Sequence, residues 1–306
     1  MNKSTIIGSR ASQLAITQAE LVLAQLREVN PHLKFSIKKI ATEGDRNHRL
    51  PLDKVTGIGI FVKELEAALL NGKIDIAVHS LKDMPTEIPA KLYLAAVTQR
   101  LDPRDILVSS AGKLAELAPG SRIGIGSIRR AIQLITYRPD LEVCPLRGNV
   151  NTRLLKVSSG ELDGVILAAS ALVRLGRQDR ITEYLSLEHF LPPAGQGALG
   201  IEIRVDDKET GELVLPLNHQ LTWQSVVAER TFLSILNGGC RAPIAVLGTV
   251  NDNTLNLTGM VAEAEGKRIL YASEEGSPTT PEQIGNQLAQ KLLEMGASKF
   301  IPEMRA

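Results

Sequence analysis

The segment Ile74-Asp-Ile-Ala-Val-His-Ser-Leu-Lys-Asp-Met-Pro85 passes from a compact apolar stretch straight into His79, Ser80, Lys82 and Asp83. In open α/β sheets, ligands bind beyond the carboxyl ends of the strands. An acid beside a lysine at that place can bind and polarise a substrate. The same spacing also suits a solvated loop with a local ion pair, because ion-pair networks sit at strand ends too. Gly124-Ile-Gly-Ser-Ile-Arg-Arg130 is a second such place. Its glycines close a strand-to-helix turn, where the first backbone N–H groups of a helix can face an anion. Arg129 and Arg130 add the geometry for bidentate carboxylate recognition. Arg147-Gly-Asn-Val-Asn-Thr-Arg153 follows another strand, and Arg10 follows the first. A surface arginine is ordinarily just solvated. Three arginine-bearing strand ends in one chain point to a cleft for a ligand with several carboxylates or phosphates. No Gly-x-x-x-x-Gly-Lys-Ser/Thr loop is present, which argues against a nucleoside triphosphatase.

Asn237-Gly-Gly-Cys-Arg-Ala-Pro243 carries different chemistry. Two glycines let the backbone bend sharply ahead of Cys240 and leave its thiol unshielded, and Arg241 favours a thiolate. Free cysteines also serve as small buried apolar residues, and that reading stays open for Cys240. Cys144 sits in the strand-like Glu142–Leu146 and reads as core. The histidines, His32, His48, His79, His189 and His219, show no metal-ligand spacing, so no metal is expected.

Elements that alternate between strand and helix must position these residues. Thr5–Gly8 reads as a strand. A helix from about Ser12 follows, with Ala15, Ala19, Val22 and Leu26 on one face. Phe35–Thr42 is a strand; Phe61, Leu65, Ala68 and Leu69 mark a helix; Ile74–His79 is a strand of the kind buried on both faces. The pattern then repeats with strands at Arg122–Gly126, Glu142–Leu146 and Gly164–Ala168, and helices at Ile128–Tyr137 and from about Asn151. Such alternation predicts doubly wound α/β sheets. Ala198–Ile203 is one more apolar strand, placed to return to the first sheet. After Leu217 a helix at Ser225–Leu236, strands at Ile244–Val250, Thr254–Ala262 and Arg268–Ser273, and a helix after Pro281 describe a small α+β domain. The expected division is residues 1–99 with 198–217, then 100–197, then 218–306.

Composition sets limits. The 306 residues carry 35 basic and 34 acidic side chains, a net charge of +1, so no bulk affinity for nucleic acid or an anionic membrane is expected. Aromatics are 3%, too few for base-stacking platforms. No apolar run approaches the ~20 residues that span a bilayer. The N-terminus runs into a strand without a long apolar signal region, and the expectation is a cytoplasmic protein with free thiols.

Read together, these segments resemble the hydroxymethylbilane synthase (porphobilinogen deaminase) family. The resemblance rests on Gly8-Ser-Arg-Ala-Ser-Gln-Leu-Ala15, Phe61-Val-Lys-Glu-Leu-Glu66, Ala77-Val-His-Ser-Leu-Lys-Asp83, Ser127-Ile-Arg-Arg130, Leu146-Arg-Gly-Asn149, Leu191-Pro-Pro-Ala-Gly-Gln-Gly197 and Gly238-Gly-Cys240, in order over nearly the whole chain. It implies two doubly wound, periplasmic-binding-protein-like domains enclosing a cleft, plus a small α+β C-terminal domain. It implies condensation of four porphobilinogen molecules, with loss of ammonia, onto a dipyrromethane cofactor, and hydrolytic release of hydroxymethylbilane. The cofactor would be held by a thioether to Cys240. By resemblance Asp83 is the catalytic carboxylate. Lys82, Ser127, Arg129, Arg130, Arg147 and Ser12 match cofactor-binding positions, and Arg10, Gln18, Arg153, Arg174, Gln196 and Phe61 match substrate-binding ones. The chain departs from the family at Ile58, where a lysine is usual, and at Ile125-Gly126, where Thr-Ser is usual. A monomer without nucleic-acid or membrane partners is expected. Two other readings remain: a non-catalytic two-domain binding protein for a small polycarboxylate, since architecture alone does not decide function, and a transferase using free Cys240 as nucleophile.

Overall fold

A computed structural model of the chain describes residues 4–41, 62–237, 243–263, 266 and 268–301. The chain divides into two compact units, Met1–Arg100 with Ala198–Trp223, and Leu101–Gly197 with Gln224–Ala306.

The first unit begins with β1 (Thr5–Arg10) and α1 (Gln13–Val29). Ser12 stops the strand and starts the helix: its backbone is extended and its Oγ accepts the Ala15 N–H at 3.3 Å, satisfying one of the helix's orphan donors. Ala15, Ala19, Val22 and Leu26 fall on one face and are buried. β2 (Phe35–Ile40), α2 (Lys63–Leu70), β3 (Ile76–Ser80) and β4 (Leu92–Val97) follow.

The second unit opens with β5 (Asp105–Ser109) and β6 (Arg122–Ile125), then α3 (Ile128–Tyr137), β7 (Glu142–Pro145), α4 (Val150–Ser158), β8 (Gly164–Ala168), α5 (Ala169–Arg174) and the short β9 (Glu183–Tyr184). β10 (Leu199–Arg204) belongs to the first unit and inserts between β3 and β4, antiparallel to both. The two sheets therefore have the orders β2-β1-β3-β10-β4 and β7-β6-β8-β5-β9. Each has three parallel strands on one side and an antiparallel strand in the fourth place. In each, the order reverses around one strand, β1 or β6, which makes a topological switch point at that strand's carboxyl end. Strand faces alternate as the pleat requires. Ile76, Val78, Leu199, Ile201 and Ile203 pack with the apolar face of α1. Ala77 packs with Leu65, Ala68 and Leu69 of α2 on the other side.

α6 (Lys208–Val214) and α7 (Gln220–Ile235) lead into a meander of β11 (Ile244–Asn251), β12 (Thr254–Ala262) and β13 (Ile269–Gly276). α8 (Pro281–Glu294) closes it, with Pro281 in the first turn where its missing N–H is no loss. One face of this small sheet shares a core with Phe232, Leu236, Leu288 and Leu292. The other packs against Ile132 and Leu191.

Candidate active site

A small depression lies at the switch point of the first sheet, lined by Arg10, Gln18, His79, Ser80 and Asp83 with apolar Val62. Arg10 is the last residue of β1, and Ser80 the last of β3. Leu81–Asp83 forms a single 3-10 turn, closed by the Met84 N–H on the Leu81 carbonyl at 3.1 Å, which brings Asp83 back to the rim. Lys82 belongs to the same turn. Gln18 is buried, and its Nε2 lies 2.8 Å from Ser80 Oγ, which fixes α1 to the end of β3. His79 is buried in the wall and its Nε2 lies 3.0 Å from Glu202 Oε2. Ser12, expected at the cofactor, has its hydroxyl engaged as the cap of α1.

At the switch point of the second sheet the arginines divide into two groups. Arg129 and Arg130 are buried, and their Nη2 atoms reach the two oxygens of Asp105 at 2.8 and 2.7 Å. Arg129 Nη1 also donates to the Leu191 carbonyl at 2.6 Å. Gln196 is fully buried and donates to Asp105 Oδ1 at 2.8 Å and to the Pro103 carbonyl at 2.7 Å. Burial would raise the Asp105 carboxyl, but the two guanidiniums and the Arg130 and Gln196 hydrogen bonds outweigh it and hold the group well below the carboxylate range. Burial lowers Arg129, with Asp105 opposing and Arg130 adding to the effect. Arg129 and Arg130 each give one Nη2 to this internal carboxylate, because two cations this deep need one, and Arg130 Nε has no hydrogen-bond partner among the described residues. Gln196 likewise faces that carboxylate.

Arg174, at the end of α5, differs. Burial lowers its guanidinium to about 10. Its Nη2 donates to the Gly197 carbonyl at 2.7 Å, and no carboxylate among the described residues pairs with it. Arg147 follows β7. Arg153 lies in the first turn of α4, its Nε on the Gly148 carbonyl at 2.8 Å. Asn149 caps that helix by accepting the Thr152 N–H at 2.9 Å. Ser127 precedes α3 with extended backbone, and its side chain does not close the cap, so that helix start keeps its N–H groups available. The departure from the family pattern at Ile125-Gly126 has packing reasons. Ile125 is a core residue. A Cβ at Gly126 would stand 2.7 Å from the Leu146 carbonyl and 3.5 Å from Arg153 Nη1.

Cys240, Phe61 and the Ile58 loop lie outside the described residues. Sequence reasoning missed Asp105, Glu202 and Glu66. Glu202 stands between Ile201 and Ile203 and so points to the opposite sheet face, where alternation alone reads as solvent; it is buried because that face is covered too. Asp105 opens its strand directly after a Pro-Arg pair and is indistinguishable there from a turn residue. No group of acidic, histidine or cysteine side chains able to hold a metal occurs among the described residues.

Residues 5–212 match the family model described as porphobilinogen deaminase, dipyrromethane cofactor binding domain, and residues 223–294 match porphobilinogen deaminase, C-terminal domain. A porphobilinogen deaminase of Alkaliphilus metalliredigens is 47% identical over 296 residues, 96% of this chain and 94% of that protein. One of Carboxydothermus hydrogenoformans is 45% identical over 306 residues, covering 100% and 98%. Among solved structures, the methionine binding protein MetQ is similar at a TM-score of 0.43 and 14% identity, covering 81% of this chain and 99% of that one.

Proposed function

The chain belongs to the porphobilinogen deaminase family, and from that premise we propose that Asp83 is its catalytic carboxylate and Cys240 the anchor of its cofactor. Its activity is that of the family: a transferase of tetrapyrrole synthesis that joins four porphobilinogens head to tail with loss of ammonia and releases hydroxymethylbilane. The non-catalytic binding-protein reading is not favoured. When bound, the dipyrromethane supplies the pyrrole end onto which substrate is condensed.

The described residues fit such a polycarboxylate. Arg174 is a deeply placed cation with a carbonyl but no described carboxylate beside it, and a ligand carboxylate supplies the missing charge. The bare start of α3 offers a second anion site. Arg147 and Arg153, at the ends of neighbouring elements, take further acetate and propionate groups. Arg129, Arg130 and Gln196 act at one remove, by holding Asp105 and the chain around Leu191. In the first unit, Arg10 and Lys82 orient a substrate carboxylate beside Asp83. As the amine leaves, positive charge develops on the substrate pyrrole, and a preorganised carboxylate lowers the energy of that state.

The observation that carries the assignment is Asp83 on a 3-10 turn in a cavity with Arg10, at a strand-end switch point. Asp83→Asn keeps the shape and removes the charge. Turnover is expected to fall at least about 100-fold, in line with losing one preorganised electrostatic group. Near-normal turnover in a variant with an unchanged melting curve contradicts the role. No helix among the described residues is long and apolar enough to cross a membrane, and a cytoplasmic monomer is the proposed form.

A further inference from the structure

Between α2 and the first sheet the titratable groups fall in two sets: Arg204 reaches the Leu69 carbonyl of α2 at 3.0 Å and Asp75 at 3.2 Å, and His79, Glu202 and Glu66 make up the other. Ala77, His79 and Glu202 share the sheet face opposite the one packed by α1. β3 and β10 are antiparallel with His79 beside Gly200, so Glu202, two residues on, is its diagonal neighbour. The side chains of His79 and Glu202 are 3% and 0% exposed, and the two meet at 3.0 Å. Glu66 of α2 is buried above them. Glu66 Oε1 and Glu202 Oε1 are both buried without a hydrogen-bond partner among the described residues. Burial raises the Glu66 carboxyl above its ordinary 4.5, the Glu202 charge raises it further, and His79 and Lys63 oppose. Two buried carboxylates and one imidazole have an obvious way to lower their joint cost, which is to share a proton. Stability alone does not explain why the group is there, since well-packed apolar residues serve a core as well or better. His79 also lines the Asp83 cavity, among Arg10, Ser80 and Asp83, with Lys82 on the adjoining turn.

We propose that His79, Glu202 and Glu66 form a buried proton-holding triad behind the Asp83 cavity, serving the condensation step. This rests on the reading of that cavity as the reaction site. In each cycle the substrate's C–N bond breaks and releases ammonia. A C–C bond forms to the acceptor pyrrole, and one proton leaves the acceptor carbon. That proton must be held before ammonia carries it off as ammonium. Asp83 faces the developing cation. The triad supplies the separate acceptor, through the one member that reaches the cavity wall.

The test uses the full-length, cofactor-loaded enzyme, with loading verified by intact mass for each variant. Glu202→Gln retains shape and a hydrogen bond but removes the charge. It is expected to lower kcat at least about tenfold, the low end of what a proton-transfer group contributes, with KM for porphobilinogen little changed. His79→Ala is expected to lose activity and to regain part of it with added imidazole. A readout independent of turnover is the melting temperature of Glu66→Gln against wild type. A carboxyl raised in the folded state contributes stability at acid pH that is lost as pH rises through its folded value. Glu66→Gln should therefore gain on wild type from acid to neutral pH. Normal kcat in Glu202→Gln overturns the proposal. So does a loss of kcat in His79→Ala that follows melting alone, without imidazole rescue, or a Glu66→Gln difference that is flat with pH. If Asp83→Asn is fully active, the site assignment itself fails. If Asp83→Asn is inactive while Glu202→Gln turns over normally, only the triad fails.

Discussion

Asp105 is a partner of Arg129 and Arg130 that residue spacing does not reveal. Two adjacent arginines after a glycine turn look the same in sequence whether they bind a ligand or a buried acid. The acid is 24 residues from Arg129 in the chain, and only the antiparallel placement of β5 beside β8 brings it near. Removing one partner of a buried ion cluster costs about 3–5 kcal/mol, because the other charges stay buried. Asp105→Asn is therefore expected to lower stability by that order in denaturant melts near neutral pH. The sign with pH follows from the lowered carboxyl. A depressed group contributes stability above the unfolded value of 3.8, and that contribution is lost as pH falls through the folded value. The gap between variant and wild type should thus be full at neutral pH and shrink only under strong acid. Arg174 is the contrasting residue, a cation without a described carboxylate, and Arg174→Leu should impair cofactor loading more than melting temperature.

At the scale of elements, much was readable. The helix Ile128–Tyr137 and the strands Gly164–Ala168 and Thr254–Ala262 have the bounds that periodicity and flanking turn residues predict. Ser12 caps α1 as its position suggested. β4 and β5 were not read as strands, since Leu92–Val97 lacks a turn-bounded apolar run and Asp105–Ser109 is short and starts on a charge. The antiparallel strands in the two sheets were also illegible, because pairing partners lie 55 or more residues apart (Ser109 with Gly164) and no local signal encodes direction. Two element-scale predictions follow from the helix starts. Ser12→Ala should cost about 1 kcal/mol, the worth of an N-cap, and leave cofactor mass intact. Gly126→Ser places a side chain against the Leu146 carbonyl and Arg153. It should lower stability by about 1–3 kcal/mol, as overpacking does, read by thermal melting.

Across the whole molecule, a nearly neutral chain still sets Arg10, Arg147 and the Arg129-Arg130 pair at or just after strand ends. Within the second unit one acid ties distant segments together. Glu229 on α7 accepts the Gly195 N–H at 2.7 Å and the Gly248 N–H at 2.8 Å. Gln196, the next residue, reaches Asp105 and hence the arginines of α3. The small C-terminal domain, whose β11 follows the Cys240 segment, is thereby joined to the arginine-bearing helix through buried hydrogen bonds. The proposed anchor, Cys240, rests on Gly-Gly-Cys and the family pattern, not on geometry.

Intact mass spectrometry of the purified protein tests most directly whether this chain carries a dipyrromethane on Cys240. Wild type and Cys144→Ser are expected to carry the mass excess of one dipyrromethane and to turn over porphobilinogen. Cys240→Ser is expected to lack both the excess mass and the activity. A wild-type protein that is fully active at its unmodified mass, or a Cys240→Ser protein that retains the adduct, would contradict the claim.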